Sequence, residues 1–148
     1  MKIISLGLGV QSTAMYLMSS LGIIDRADHA IFADPGAELS DTYQLWDYLN
    51  EWRKLNNGIP LMKRKKSLYD DIIKGQNSTG QRWASIPAFG ESGGMIRRQC
   101  TLEYKINVVV KMIRELHGLK KYGRMKPTEI WLGISLDEIQ RMKESRIP

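Results

Sequence analysis

Residues 3 to 13 read Ile-Ile-Ser-Leu-Gly-Leu-Gly-Val-Gln-Ser-Thr, a short β-branched run that turns on two glycines. Apolar residues then recur at helical spacing, so the stretch predicts a buried strand, a tight loop and the start of a helix. Glycines at positions 7 and 9 remove Cβ atoms that would block close backbone approach or a left-handed dihedral angle. The first N–H groups of a helix lack internal partners and lie at the positive end of its dipole. The stretch therefore predicts a phosphate-binding loop.

The candidate ligands in this loop are its backbone and the side chains of Gln11, Ser12 and Thr13. A glycine pair alone is a weak signal, because any tight turn between a strand and a helix can use one. The Walker pattern is absent, since no Lys-Ser or Lys-Thr pair follows the glycines. The dinucleotide-binding pattern Gly-x-Gly-x-x-Gly fails at its last position, where Ser12 stands. The choice among phosphate loops therefore depends on the rest of the chain.

Length and composition exclude several classes of protein. The chain of 148 residues is the size of one domain, spanning residues 1–148, and its 43% hydrophobic content is ordinary for a globular protein. No apolar run approaches the ~20 residues of a membrane span, and a strand follows Met1 almost directly, so we expect a cytoplasmic protein without membrane contact. Cys100 is the only cysteine, which excludes an internal disulfide and a four-cysteine iron–sulfur or zinc site in one chain. The two histidines show no metal-ligand spacing, so we expect no protein-held metal.

The net charge of +6 favours an anionic partner without choosing between a nucleotide and a polynucleotide. Much of this charge lies in two clusters, Lys63 to Lys66 and Lys120 to Arg124. Each cluster is consistent with solvated surface around a turn, and each is also consistent with a nucleic-acid-binding face.

Apolar runs alternate with helical patterns along the chain. After the first strand and its helix, strands are predicted at residues 30–33, 59–62 and 129–135, and helices after Ser40, at 68–74 and at 101–117. This alternation calls for a Rossmann-like α/β fold, a parallel sheet with helices on both faces. Such sheets bind ligands outside the carboxyl ends of their strands. The apolar stripes predict the buried helix faces, which are Ala14, Leu17, Met18 and Leu21; then Leu45, Leu49, Trp52 and Leu55; then Leu102, Ile106, Val109, Val110, Ile113 and Leu116.

Chemically useful side chains follow the predicted strand ends. Asp34 closes the second strand before a Pro-Gly turn, where its carboxylate can accept from a ribose hydroxyl or an adenine amino group, or simply form the turn. Asp137 and Glu138 follow the last strand, and Asp137 is also placed for an ordinary helix ion pair.

A second set of candidates surrounds the start of the last long helix, which Thr101 is expected to cap. Arg97 and Arg98 stand directly before it, and a guanidinium fork matches phosphate or sulfate oxygens in a bidentate manner. Lys105, on the first turn, can reach back toward the same rim. Cys100 beside two arginines would have a lowered thiol pKa if exposed, although a buried structural cysteine fits the sequence equally.

Five segments in order along the chain resemble the phosphoadenosine phosphosulfate (PAPS) reductase family of the adenine nucleotide alpha hydrolase superfamily, the PP-loop ATP pyrophosphatases. They are Ser5 to Thr13, Phe32-Ala33-Asp34-Pro35-Gly36-Ala37-Glu38, Arg97-Arg98-Gln99-Cys100-Thr101, Tyr104-Lys105-Ile106, and Gly133-Ile134-Ser135-x-Asp137-Glu138. The chain is most similar to a phage- and mobile-element-associated branch that has Gly-Val-Gln-Ser-Thr in its loop. Together the five segments span nearly the whole chain in the right order.

The resemblance implies a Rossmann-like sheet of about five strands that binds ATP or PAPS. It implies a phosphate or sulfate site made by Gly7, Gly9, Gln11, Ser12, Thr13, Arg97, Arg98 and Lys105. It implies a nucleoside site made by Asp34, Gly36, Gly133 and Ser135, with Asp137, Glu138 and Cys100 as further candidates. Relatives of this kind act in sulfur transfer, base thiolation or DNA sulfur modification.

Two departures from the family pattern separate the functional hypotheses. Gln11 replaces the usual acidic residue of the loop, which weakens the expectation of magnesium-assisted ATP chemistry without removing magnesium. Family reductases use a cysteine in a C-terminal tail, whereas Cys100 is the only thiol here, so we expect a C-terminally truncated domain and no thioredoxin-linked reduction. An enzyme acting on the phosphate or sulfate end of the nucleotide and a non-catalytic nucleotide-binding module both remain open. A homodimer fits either hypothesis, whereas a nicotinamide-dependent dehydrogenase would need a substrate domain that a chain of this length lacks.

Overall fold

The computed structural model describes residues 1–77, 80–81, 101–120 and 123–141. Arg97, Arg98 and Cys100 lie outside the described residues, so their predicted roles stay predictions. None of the described helices combines the length and the apolarity that crossing a membrane requires. The strands are β1 (Lys2–Ser5), β2 (His29–Asp34), β3 (Leu61–Lys65) and β4 (Glu129–Leu132), and the α-helices are α1 (Val10–Ser20), α2 (Ser40–Leu55), α3 (Leu68–Ile73) and α4 (Asn107–Leu116). A π-helical segment, Thr101–Ile106, leads into α4, and a 3₁₀ helix, Leu136–Arg141, follows β4.

The four strands form one parallel sheet in the order β3-β2-β1-β4. The predicted α/β class with a parallel sheet is confirmed, with four strands among the described residues against the five or so that the resemblance implies. The chain moves outward from β1 to β3 and then crosses to the other side of β1 for β4. The strand order therefore reverses between β1 and β4, and a crevice is expected outside the carboxyl ends of these two strands.

Neighbouring side chains of β1 point to opposite faces of the sheet, as the alternation of a strand requires. Ile4 joins a core with Tyr16 of α1 and Trp46 of α2, whereas Ile3 joins a core with Val109 and other residues of α4. Both isoleucines are fully buried. Helices thus cover both faces of the sheet, as the β-α alternation predicts.

The buried face of α1 differs from the predicted apolar stripe. Met18 and Leu21 of that stripe are exposed, and the buried residues are Ser12, Tyr16, Ser19 and Ser20. Burial of this polar face is possible because its hydroxyls are paired. Tyr16 donates to the carbonyl oxygen of Ile59 at 3.0 Å, and the Ser19 hydroxyl donates to the Asp25 carbonyl at 2.7 Å.

The third strand begins two residues later than predicted and includes Lys63, Arg64 and Lys65 of the first basic cluster. The prediction that these residues lie around a turn is therefore wrong, whereas the expected solvent exposure holds for Lys63 and Lys65. Their charges fit the strand because Lys63 Nζ lies 5.2 Å from the centroid of the Trp46 ring, while Arg64 pairs with Glu115 of α4. Charged side chains on an edge strand also discourage pairing with other sheets.

The helix predicted over residues 101–117 is divided into the π-helical segment and α4, so Thr101 does not act as an α-helical N-cap. A π turn holds more residues than an α turn, which shifts the phase of the apolar stripe. Leu102 and Ile106, predicted to be buried, are 53% and 38% exposed, and Tyr104 is buried instead. The Tyr104 hydroxyl donates to Asp71 Oδ2 of α3 at 2.6 Å, which anchors the segment.

Candidate functional site

A cleft of about 610 Å³ opens at the carboxyl edge of the sheet, where the strand order reverses between β1 and β4. One wall is the loop that leads from β1 into α1, and the other is the segment that follows β4. The structure brings together eight of the residues selected from the sequence. Four belong to the first wall and four to the second, and more than a hundred positions of sequence separate the two groups. The cleft is lined by Ser5, Gly7, Gly9, Gln11, Ser12, Leu132, Gly133, Ile134, Ser135, Asp137 and Glu138.

The first wall ends in the open amino terminus of α1. Gly9 is the N-cap and has no side chain to cap the helix, and the first turn carries no acidic residue. The N–H of Thr13 reaches the Gly9 carbonyl at 3.0 Å, and the Ser12 hydroxyl donates to the same oxygen at 3.2 Å. Backbone N–H groups before Thr13 have no acceptor within the helix, so this end of α1 carries partial positive charge at the cleft.

The left-handed residue of the loop is Leu8, with φ of 56°, and neither neighbouring glycine has a positive φ. The expectation that Gly7 or Gly9 supplies a left-handed dihedral angle is therefore wrong. Leu8 tolerates this conformation because its side chain is buried in the core, at 7% exposure. A Cβ added at Gly7 or Gly9 would approach no atom outside its immediate neighbours closer than 3.9 Å. The conformation of the loop therefore does not require glycine at positions 7 and 9, and the effect of the two glycines is to leave space in the cleft.

Gly133 fixes the distance between the two walls. A Cβ built on it would lie 2.5 Å from the backbone nitrogen of Ser12 and 2.8 Å from the carbonyl carbon of Gln11. Real Cβ atoms do not approach backbone this closely, so only glycine allows the segment after β4 to contact the first turn of α1. The predicted strand over residues 129–135 ends at Leu132, which releases Gly133 for this contact.

The second wall carries two carboxylates, Asp137 and Glu138. The N–H of Glu138 donates to the carbonyl oxygen of Ser135 at 3.0 Å, which closes the turn. The Ser135 hydroxyl donates to the Asp137 carboxylate, and this hydrogen bond holds the pKa of Asp137 below its usual 3.8. Within the described ranges, no group of three or more His, Cys, Asp or Glu side chains is placed to hold a metal ion.

Removal of the Ser135 hydroxyl is expected to raise the pKa of Asp137. In Ser135→Ala the carboxylate loses the donor that favours its charged form, so its pKa should move up toward 3.8. Carbon-detected NMR titration of the Asp137 carboxyl would measure this shift. Thr128→Ala is the control, because it also removes a side-chain hydroxyl but at a position that does not line the cleft. It should leave the Asp137 titration unchanged.

An apolar pocket of about 450 Å³ adjoins the cleft on the α4 side of the sheet and shares Ser5, Gly7 and Leu132 with it. Its other lining residues are Leu6, Phe32, Ala33, Lys105, Ile106, Val109, Val110 and Ile130. Lys105 is the only charged residue among the described residues of this lining. Its ammonium donates to Glu38 Oε1 of the β2–α2 loop at 2.9 Å, so it reaches the carboxyl edge of the sheet. Lys105 does not line the cleft, however, and its phosphate-binding role stays a prediction.

Asp34 and Gly36 lie at the end of β2 and line neither the cleft nor the apolar pocket. Asp34 is 2% exposed, and its Oδ1 accepts from the Gly36 N–H at 2.7 Å and from the Tyr43 hydroxyl at 2.9 Å. Burial, with a smaller contribution from the bond to Asp34, raises the pKa of Tyr43. The geometry therefore assigns Asp34 a turn-forming role. Thr13 also lines neither depression, and its hydroxyl oxygen is buried without a partner in the part of the chain that the structure describes.

Sequence reasoning did not identify the apolar pocket, since its residues carry the same pattern as the core around them. Tyr43 and Glu38, which hold Asp34 and Lys105, were also missed. Only the position of Glu38 just after the Asp-Pro-Gly turn could have drawn attention to it.

The chain was compared with protein-family models, with curated proteins and with solved structures. It matches no family model, no curated protein and no solved structure.

Proposed function

We propose that this protein binds an adenine nucleotide, ATP or PAPS, at the carboxyl edge of its sheet and acts on the phosphate or sulfate end. The observation that carries the proposal is the pair of adjoining depressions around the end of β1, one polar and one apolar. A nucleotide has the same division into an anionic end and a flat, largely apolar base. Both depressions lie at the point where the strand order reverses, the usual ligand position in such sheets.

In this proposal the anionic end lies in the cleft against the start of α1. The unpaired N–H groups of the first turn and the helix dipole attract phosphate or sulfate oxygens. Ser12 and Gln11 lie at the same turn and can hydrogen-bond to the ligand. The base then enters the apolar pocket, where Lys105 stands at the rim, and Ser5 lies at the junction of the two depressions.

The carboxylates of Asp137 and Glu138 indicate that a cation binds together with the anion. Two negative charges opposite a phosphate group repel it unless a cation lies between them. Oxygen ligands of this kind suit Mg²⁺, which is commonly bound by one or two carboxylates together with substrate phosphates. We therefore expect magnesium to bind together with the nucleotide. The two carboxylates would then supply the magnesium ligands that the loop lacks, since Gln11 stands where the family has an acidic residue.

Thermal unfolding with each candidate ligand tests the proposal. ATP, PAPS, adenosine 5′-phosphosulfate and NAD would each be added with and without Mg²⁺. A ligand present at 100 times its Kd stabilises the fold by about 2.7 kcal/mol, which raises the melting temperature by several degrees. Stabilisation by ATP or PAPS supports the proposal. Stabilisation by NAD alone, or by no adenine nucleotide at saturating concentration, contradicts it.

Gly7→Ala is expected to weaken nucleotide binding while the fold is retained. The new methyl group meets no close neighbour in the protein, with the Ser12 hydroxyl 3.9 Å away, but it projects into the cleft that the ligand would fill. Crowding of this kind costs about 1.4 kcal/mol or more, equivalent to a tenfold higher Kd. Isothermal titration calorimetry with the stabilising nucleotide measures the change. Unchanged affinity would place the ligand elsewhere.

A further inference from the structure

A second concave surface lies on the outer side of α4, away from the cleft. It is a groove of about 480 Å³ lined by Asn107, Val110, Lys111, Arg114, Glu115, Leu119 and Lys120. We refer to these seven residues as the α4 groove. Three of its side chains are cationic and one is acidic, so its charge depends on what the acidic residue contacts.

Glu115 is neutralised by a residue from outside the groove. Arg64 of β3 binds it with both guanidinium nitrogens, Nη1 to Oε1 at 2.9 Å and Nη2 to Oε2 at 2.6 Å. This bidentate pair also brings the two basic clusters of the sequence to one face of the molecule, since Arg64 belongs to the first cluster and Lys120 to the second. The groove is therefore left with the charge of Lys111, Arg114 and Lys120.

The three cations differ in how they are held. Arg114 Nη2 donates to the carbonyl oxygens of Lys120 and Gly123 at 3.1 Å each, which fixes its guanidinium at the groove. Lys111 and Lys120 are exposed, and their ammonium groups form no hydrogen bond or ion pair with the rest of the described chain. Two exposed ammonium groups beside a fixed guanidinium give the groove a net positive charge, which attracts a polyanion.

We propose that the α4 groove binds the sugar–phosphate backbone of a nucleic acid. Its charged donors can satisfy phosphate oxygens. A peptide strand would also bring N–H groups that need acceptors, and Glu115 is already used by Arg64. The apolar side chains of Val110 and Leu119 can lie against sugar carbons. No aromatic residue is among the described residues that line the groove, and contacts to phosphate and sugar carry no sequence information, so we expect binding that is independent of sequence.

The groove and the apolar pocket meet at Val110, which lines both. A strand held along α4 therefore runs toward the carboxyl edge of the sheet. Taken with the proposed nucleotide site, on which this step rests, the arrangement places the nucleic acid beside the bound nucleotide. Binding of the nucleic acid itself does not depend on that step.

Fluorescence anisotropy with a fluorescein-labelled, mixed-sequence single-stranded DNA of 20 nucleotides tests the proposal without any nucleotide ligand. If three phosphates are neutralised, the slope of log K against log salt is about −2.1, so the affinity falls roughly 20-fold between 50 and 200 mM NaCl. In Lys111→Gln/Lys120→Gln the slope should shrink to about −0.7 and the fall to roughly threefold. Lys54→Gln/Lys74→Gln removes the same charge outside the groove and should behave as wild type.

Three results would overturn the proposal. The first is no binding by the wild type at 50 mM NaCl, and the second is an equal loss of affinity and slope in the control double variant. The third is tighter binding of labelled polyglutamate than of the oligonucleotide, which would assign the groove to an acidic protein. Since the assay contains no ATP or PAPS, its failure leaves the thermal-unfolding result untouched, and the two proposals fail separately.

Discussion

Gly133→Ala is expected to destabilise the protein more than a typical surface substitution, because its new methyl group meets backbone. The nearest atoms are the backbone nitrogen of Ser12 at 2.5 Å and the carbonyl carbon of Gln11 at 2.8 Å, and neither can rotate away as a side chain could. Overpacking of this kind costs about 1–3 kcal/mol. For a chain of this size the melting temperature should fall by roughly 3–10 °C in differential scanning calorimetry.

The same substitution is also expected to abolish ligand stabilisation, since the first turn of α1 has to move away from the segment after β4. Gly7→Ala is the matched control for stability, because it adds the same methyl group at a position with ordinary contacts. Its melting temperature should stay within about 2 °C of the wild type. A Gly133→Ala protein with wild-type stability would show that the two walls do not touch as described.

The second large effect is expected at Asp34. Asp34→Ala removes the oxygen that accepts from the Gly36 N–H and the Tyr43 hydroxyl in a site that is 2% exposed. Each buried donor left without a partner costs about 1–3 kcal/mol, and the partly exposed Tyr43 can recover some of this, so we expect a loss of about 2–3 kcal/mol. Chemical denaturation measures this loss as a lower midpoint at an unchanged slope.

Asp34→Asn separates the turn-forming role from nucleoside binding. The amide keeps an oxygen in the place of Oδ1 but removes the charge, so most of the stability should be retained. The nucleotide Kd should also stay close to that of the wild type, because Asp34 lines neither the cleft nor the apolar pocket. A stable Asp34→Asn protein with strongly weakened binding would restore the nucleoside-binding role predicted from the sequence.

The sequence predicted the parts of the fold that depend on local pattern. The strand–loop–helix unit at residues 3 to 13 and the parallel α/β class are confirmed. The gathering of Gly7, Ser12, Gly133 and Asp137 in one cleft also follows from the rule that parallel strands present their carboxyl ends at one edge.

What the sequence could not predict depends on contacts between distant residues. Ser19 and Ser20 of α1 are buried because Asp25 and Ile59 supply their partners, and Ile59 also supplies that of Tyr16; no local pattern contains those pairings. The charges of β3 are tolerated because Trp46 and Glu115 lie beside them. The need for glycine at position 133 is visible only from the helix it touches, whereas the loop glycines, which attract attention in the sequence, prove sterically permissive.

The position of β1 in the sheet also determines when the cleft can form during folding. β1 pairs with β2 soon after it in the chain, but its other edge pairs with β4, and Lys2 lies opposite Glu129. Contacts between such distant residues form late, because closing the intervening chain requires a large loss of entropy. A chain emerging from the ribosome therefore contains the glycine loop from the start. The second wall of the cleft cannot form until residue 133 has left the ribosome. We expect the ligand to protect the backbone N–H groups of the glycine loop only in the last phase of refolding. Pulsed hydrogen exchange during refolding would measure this protection.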